Sequence, residues 1–132
     1  MAAHIVRLGS PRSAEEGPRL GTVRRPPRGV PKADFARLDY YDVWLPVLAP
    51  SQALLTAVGG PHAVAAQWAT FSRHFLTEMK APAAAQFLDA LAALSHTASF
   101  ALGCYCVDAT HCHRSLLRQL LIGRGAHCVS AG

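Results

Sequence analysis

The feature that most constrains the fold is a short apolar run followed at once by a polar loop and an amphipathic helix. Residues 99–104 (S-F-A-L-G-C) have the length and the unbroken apolar character of a buried central strand. Residues 104–114 (C-Y-C-V-D-A-T-H-C-H-R) hold the densest polar cluster of the chain, and residues 115–122 place leucines at helical spacing before Gly123 and Gly125. This strand–loop–helix unit is typical of a parallel sheet in an α/β protein.

Three further strands are predicted in the first third of the chain. Residues 4–8 and 20–24 alternate as short strands do, and residues 40–45 are rich in β-forming side chains and stop at Pro46. Residues 9–19 between the first two have the composition of a loop.

Three helices are predicted between the early strands and the buried one. Ser51 is an N-cap candidate for the first helix, and Gly59 is placed to end it. The second and third helices each carry an apolar stripe, formed by Val64, Trp68, Phe71, Phe75 and Met79 and by Phe87, Leu88, Leu91 and Leu94. We therefore expect one α/β domain over residues 1–132, with a small, mainly parallel sheet flanked by helices in Rossmann-like layering and a flexible tail at residues 126–132.

Composition decides how the four cysteines are interpreted. The chain has 132 residues, 51% of them hydrophobic, and it contains no stretch of the ~18 apolar residues that a membrane span needs. Arg7, Gly9 and Pro11 interrupt the first residues before they resemble a signal peptide. We expect a cytoplasmic protein without membrane contact, whose cysteines are thiols, metal ligands or nucleophiles. Cys128, in the tail, is expected to be incidental.

The charge balance favours an anionic partner. The formal net charge is +5, and the basic residues are concentrated near the start of the chain. Such a balance suits an anionic small molecule, a nucleotide or a nucleic acid, although it would also serve solubility alone. The sequence indicates no oligomeric state.

The polar loop before the last helix predicts a binding or catalytic site. Ligands of open α/β sheets bind beyond the carboxyl ends of the strands, where helix N-termini favour anions and thiolates. Cys106 or Cys112 is the candidate nucleophile, and Asp108 or His113 the candidate acid or base. Arg114 and Arg118 lie four residues apart on one helical face and are candidate anion ligands.

Two other interpretations of the same loop remain open. Zinc prefers thiolates and imidazoles, and this loop offers Cys104, Cys106, Cys112 and His113. Residues two apart on an extended strand lie roughly 7 Å apart, so a shared ion would need a bend at Tyr105. In the second, purely structural interpretation, the cysteines are buried as small hydrophobic side chains. A phosphatase-type phosphate loop is excluded, because the residue six places after Cys106 is a cysteine and not an arginine.

A second basic cluster follows an early strand. Arg24, Arg25 and Arg28 lie in a proline-stiffened loop, V-R-R-P-P-R-G, at residues 23–29. If that strand runs parallel to the strand at residues 99–104, both loops open at the same edge of the sheet. Arg24 and Arg28 would then grip an anion together with the second loop, although a solvated basic loop is an equally ordinary interpretation.

Five motifs together span nearly the whole chain: R-L-G-S-P-R, T-V-R-R-P-P-R-G-V-P, Y-Y-D-V-W-L-P-V-L-A-P-S, E-M-K and C-Y-C-V-D-A-T-H-C-H-R-S-L-L-R. In these motifs the sequence resembles the bacterial YeaO-like family, a domain of unknown function. The broader superfamily has a D-V-R-x-x-P-R loop and an L-x-C-A-E…C-H-R element. They are matched here by Thr22, Val23, Arg24, Pro27 and Arg28, and by Cys106, Asp108, Cys112, His113 and Arg114.

Three residues depart from the superfamily pattern. Thr22 replaces an Asp, Asp108 replaces a Glu, and Cys104 lies outside the pattern. The resemblance implies the fold and assigns no reaction.

The leading hypothesis is an anion-binding cleft that acts on a phosphate-bearing ligand such as a nucleotide or nucleic acid. Its residues are Arg24, Arg28, Cys106, Asp108, Cys112, His113 and Arg114, with Arg118 beside them. The alternative is a binding module without catalysis, either stabilised by zinc or binding nucleic acid through its basic surface. The residues alone leave open whether the protein is an enzyme. They indicate no cofactor, and zinc is retained only as an alternative.

Overall fold

The buried apolar run forms the central strand of the sheet in the computed structural model, which describes residues 1–130. The strands are β1 (Ala3–Arg7), β2 (Arg19–Gly21), β3 (Val43–Trp44), β4 (Phe100–Cys104) and β5 (Cys128–Ser130). They lie in the order β3-β2-β4-β1-β5, and every neighbouring pair is parallel. All residues of β4 are buried, as expected for a strand with neighbours on both sides. The predicted α/β class is confirmed.

Parallel pairing brings two loops to one edge of the sheet. β4 pairs with β1 through Arg7 and Cys104, and with β2 through Gly21 and Gly103. The loop that follows β2 and the loop that follows β4 therefore leave at the same carboxyl edge. The Tyr105 hydroxyl donates to the carbonyl oxygen of Arg25 at 2.9 Å and joins the two loops directly.

The helices are α1 (Gln52–Val58), α2 (Trp68–Glu78), α3 (Pro82–Leu94) and α4 (His113–Ile122). The predicted start and end of α1 are confirmed. Ser51 Oγ accepts a hydrogen bond from the Leu54 amide at 3.0 Å, and Gly59 ends the helix with a left-handed φ of 103°. Pro61 opens a separate 3-10 turn, so α2 begins only at Trp68.

The apolar stripes explain how the helices cover the sheet. Phe71, Phe75 and Met79 of the α2 stripe are buried in the main core. In α3 the inward stripe is narrower than predicted, because Leu88 and Leu91 are buried while Phe87 and Leu94 are exposed. The buried face of α3 also includes Ala84 and Ala92. Phe87 lies about 100° around the helix from Leu88 and so falls outside that face.

The strand predictions need three corrections. β2 ends at Gly21 rather than near Arg24, and β3 is reduced to two exposed residues at the sheet edge. A fifth strand was not predicted: residues 128–130, within the predicted tail, pair with β1 and cover its otherwise open edge. The last two residues of that predicted tail lie outside the described part of the chain. Within that part, no helix is both long enough and apolar enough to cross a membrane.

One buried ion pair was not predicted from the sequence. Arg19, in β2, is completely buried and forms an ion pair with buried Glu16. Its guanidinium also donates to the carbonyl oxygens of Ser10 at 2.7 Å and Asp39 at 2.6 Å. Arg19 thus ties the loop after β1 to the segment before β3, and its role is structural.

Candidate functional site

Two cavities open at the carboxyl edge, and the first turn of α4 contributes to both. Cys112 and His113 line one of them, and Arg114, Ser115 and Arg118 line the other. We call the first the cysteine cavity, and its volume is about 180 Å³. The other residues that line it are Cys104, Cys106, Val23, Arg24, Arg25, Pro50, Leu55, Pro61, Val64, Phe71 and Tyr105. We call the second the arginine cavity; it has a volume of about 570 Å³ and is also lined by Ile5, Arg7, Ser10, Pro11, Val107, Ala109 and Thr110.

Three sulfur atoms converge in the cysteine cavity. The Sγ atoms of Cys104, Cys106 and Cys112 all lie within 4.8 Å of one another. The chain bends at Tyr105, as a shared site for Cys104 and Cys106 requires. The sulfurs of Cys104 and Cys112 are at disulfide distance, while Cys106 carries a free thiol. Burial raises the pKa of the Cys106 thiol, and the nearby Arg114 guanidinium opposes that rise.

His113 is buried beside this cluster and is held in one tautomer. Its Nε2 atom lies 2.5 Å from the carbonyl oxygen of Thr22, which can only accept a hydrogen bond, so Nε2 carries the proton. Nδ1 is then unprotonated and lies 3.8 Å from Cys112 Sγ. Burial lowers the pKa of His113 to about 4, against an opposing hydrogen bond to Thr22. The ring is therefore neutral near pH 7 and presents a lone pair towards the sulfurs.

The arginines of the loop after β2 are placed differently from the prediction. Arg24 borders the cysteine cavity, but its guanidinium donates to the carbonyl oxygens of Pro50 at 3.0 Å and Pro46 at 3.1 Å. It thereby fixes the segment that leads into α1. Arg28 is exposed and borders neither cavity in the described part of the chain. The single cleft expected from the sequence is therefore divided.

Asp108 stabilises its own loop. Its carboxylate accepts hydrogen bonds from the Thr110 amide at 2.9 Å and the Thr110 hydroxyl at 2.6 Å, and His111 Nδ1 lies 3.1 Å away. The hydrogen bond from the Thr110 side chain is the main cause that lowers the pKa of Asp108 to about 2. Asp108 therefore interacts with His111 and not with His113, and Asp108 borders neither cavity.

The arginine cavity brings together three guanidinium groups. Arg114 is buried and donates to the carbonyl oxygen of Val6 at 3.0 Å. Burial lowers the pKa of Arg114, and the like charge of Arg7 lowers it further. The Nε atom of Arg118 is buried without a hydrogen-bond partner among the described residues.

Arg7 was not among the residues predicted for the site. It is the last residue of β1, and it lies beside Cys104 in the register of β1 and β4. Once β1 is known to pair with β4, the position of Arg7 at the carboxyl end of β1 identifies it as a candidate site residue. Its Nε atom donates to the carbonyl oxygen of Tyr105 at 3.3 Å.

Comparison with known proteins gives a family. No curated protein and no solved structure matches the chain. The family model DUF488-N3a, described as the active DUF488-N3 subclade, matches residues 3–125, a range that includes the residues lining both cavities. The protein YeaO is itself a DUF488 member, so the resemblance found in the sequence is confirmed. The chain belongs to the DUF488-N3a family.

Proposed function

We propose that this protein binds a phosphate-bearing anion in the arginine cavity. The observation that carries the proposal is the convergence of Arg7, Arg114 and Arg118 on one cavity whose described lining contains no carboxylate. Like charges held together in a partly buried space repel one another, and an anion that accepts their hydrogen bonds relieves that repulsion.

The nearest acidic group does not neutralise this cluster. Asp108 lies close enough to affect the pKa of Arg114, but it is exposed and its oxygens are occupied by Thr110 and His111. The Nε atom of Arg118 has no hydrogen-bond partner among the described residues, so an anion held by this guanidinium breaks no hydrogen bond at that atom.

The size and the remaining polar groups favour a nucleotide-sized ligand. A volume of about 570 Å³ falls within the range of ~300–1,000 Å³ that small-molecule sites occupy. Ser10, Thr110 and Ser115 add polar atoms to the lining. The positive end of the α4 dipole lies at the same place and favours phosphate further.

A catalytic form of the proposal adds the neighbouring thiols. Arg114 acts electrostatically on Cys106, which connects the two cavities. Cys106 carries the free thiol of the cluster and is the first candidate nucleophile. Cys112 is the second, with His113 Nδ1, 3.8 Å from its sulfur, as the candidate base. Asp108 and Arg28 have no part in this arrangement.

The zinc-stabilised binding module is the alternative, and it concerns different side chains. A metal among the cysteines would be compatible with an anion among the arginines, because the two sets share no residue. Both forms retain the cytoplasmic location expected from the sequence, where thiols stay reduced.

The experiment compares two variants that lose the same charge. Arg118→Gln changes the arginine cavity, while Arg28→Gln changes an exposed arginine outside it. Calorimetric titration with inorganic phosphate and with AMP, and anisotropy of a labelled single-stranded oligonucleotide, would distinguish a free anion, a nucleotide and a nucleic acid. We expect Arg118→Gln to weaken binding of the preferred probe about tenfold, which corresponds to about 1.4 kcal/mol. Arg28→Gln should change it less than about twofold.

Two results would contradict the proposal. One is the absence of binding for all three probes by the folded wild-type protein. The other is an equal loss of affinity in both variants, because that would indicate a nonspecific effect of net charge. Circular dichroism of each variant verifies that the fold is retained.

A further inference from the structure

We propose that Cys104, Cys106 and Cys112 form a zinc site with His113 as its fourth ligand. The three sulfurs come from three different places, the end of β4, the loop after it and the N-cap of α4, and they still lie within 4.8 Å of one another. Zinc binds thiolates at about 2.3 Å in tetrahedral sites, which puts neighbouring sulfurs roughly 3.8 Å apart. The three sulfurs are therefore close enough to reach one zinc ion, once the sulfurs of Cys104 and Cys112 separate from disulfide distance.

The backbone supports an ion more readily than a disulfide. The Cα atoms of Cys104 and Cys112 are 7.8 Å apart, whereas disulfides join Cα atoms about 4.4–6.8 Å apart. An ion between the two sulfurs accommodates that wider backbone spacing. The side chains of Cys104 and Cys112 thus have two alternative states, one with their sulfurs in contact and one with both sulfurs bound to zinc. Reducing conditions favour the zinc-bound state.

His113 has the orientation that a metal ligand needs. Metal-bound histidines commonly donate their other ring N–H to a carbonyl oxygen or carboxylate, which fixes the tautomer. Here Nε2 donates to the Thr22 carbonyl, and Nδ1 lies 3.8 Å from Cys112 Sγ. Nδ1 is not within 4.8 Å of all three sulfurs, so the ring moves closer to the other two when it completes the site. About 3.6 Å is expected between a sulfur and a nitrogen on the same tetrahedral zinc ion.

The surroundings of the three cysteines suit the charge of a zinc site and leave the site accessible to an ion. Three thiolates, one neutral imidazole and Zn²⁺ carry a net charge of about −1. Arg114 acts on Cys106, and the N-terminus of α4 provides a positive dipole end at Cys112, so both stabilise that charge. All four ligands border the cysteine cavity, and one of them, Cys106, is exposed, which gives an ion a path of entry.

The test measures metal in protein purified under reducing conditions without a metal-affinity tag. Mass spectrometry of the metal content should find about one zinc per wild-type chain. Cys106→Ser removes a ligand that is exposed, so the fold should tolerate it, and it should lower zinc affinity at least tenfold in competition with a chromophoric chelator. Cys128→Ser removes the fourth cysteine, which lies outside the cluster, and should leave both values unchanged.

Cobalt substitution gives a second readout that does not depend on stability. Co²⁺ bound by thiolates gives sulfur-to-metal charge-transfer bands in the near ultraviolet. These bands should be present in the wild-type and Cys128→Ser proteins and reduced in Cys106→Ser and Cys112→Ser. His113→Gln should keep thiolate bands but change the visible bands, which report the fourth ligand.

Three results would overturn the inference. The first is reduced wild-type protein that takes up neither added Zn²⁺ nor Co²⁺. The second is equal metal affinity in Cys106→Ser and the wild type. The third is a covalent bond between Cys104 and Cys112 that persists under reducing conditions. The inference does not rest on anion binding: Arg118→Gln, which changes the arginine cavity alone, should keep about one zinc per chain.

Discussion

Protonation of His113 should destabilise the metal-free protein below pH 6.5. In the folded chain burial lowers the pKa of His113 from 6.5 to about 4. Between these values the unfolded chain binds a proton that the folded chain does not, so stability must fall as pH falls through this window. A difference of about 2.5 pKa units at 1.36 kcal/mol each gives a loss of about 3 kcal/mol between pH 7 and pH 4. That is a large part of the total stability of about 5–15 kcal/mol that is usual for a domain.

The variant His113→Gln isolates this contribution. Glutamine retains an N–H that can donate to the Thr22 carbonyl, but it does not titrate. Urea unfolding of both proteins at pH 7, 6, 5 and 4, with a reductant and a chelator present, gives two curves of unfolding free energy against pH. The wild-type curve should fall about 3 kcal/mol further than that of His113→Gln. His62→Gln, which changes an exposed histidine, should follow the wild type. Parallel curves for the wild type and His113→Gln would refute the reasoning.

Three local substitutions test the backbone and the helix cap, with stability measured by chemical denaturation. Gly17→Ala should prevent correct folding or cost several kcal/mol, because a Cβ there would lie 2.1 Å from the Ser99 carbonyl oxygen at a φ of 71°. Gly29→Ala has a similar φ of 76° but open space around it, so it should cost only about 1–2 kcal/mol, and equal losses in the two variants would exclude the steric argument. Ser51→Ala removes the acceptor of the Leu54 amide and should cost about 1 kcal/mol, whereas an unchanged midpoint would show that the cap is dispensable.

The sequence predicted the parts of the fold that follow from local patterns. An unbroken apolar run identified β4, and a capping serine with a terminal glycine identified α1, because burial and capping leave clear local signals. Strand lengths and the sheet edges were predicted poorly. Pairing of residues 128–130 with β1 depends on contacts across most of the chain, which no local window contains. The burial of Arg19 was missed for the same reason, since its carbonyl partners come from two distant loops.

The candidate site shows why adjacent residues in a motif need not act together. Successive residues of a helix point about 100° apart, whereas residues four apart share a face. His113 therefore turns towards the cysteines and Arg114 towards Arg118, although the sequence places His113 and Arg114 side by side. The C-H-R motif thus contributes a cysteine sulfur and an imidazole to one cavity and a guanidinium to the other. A helix that begins in this way suits a function that needs both a bound anion and a bound metal, because the electrostatic effect of Arg114 on Cys106 links the two cavities.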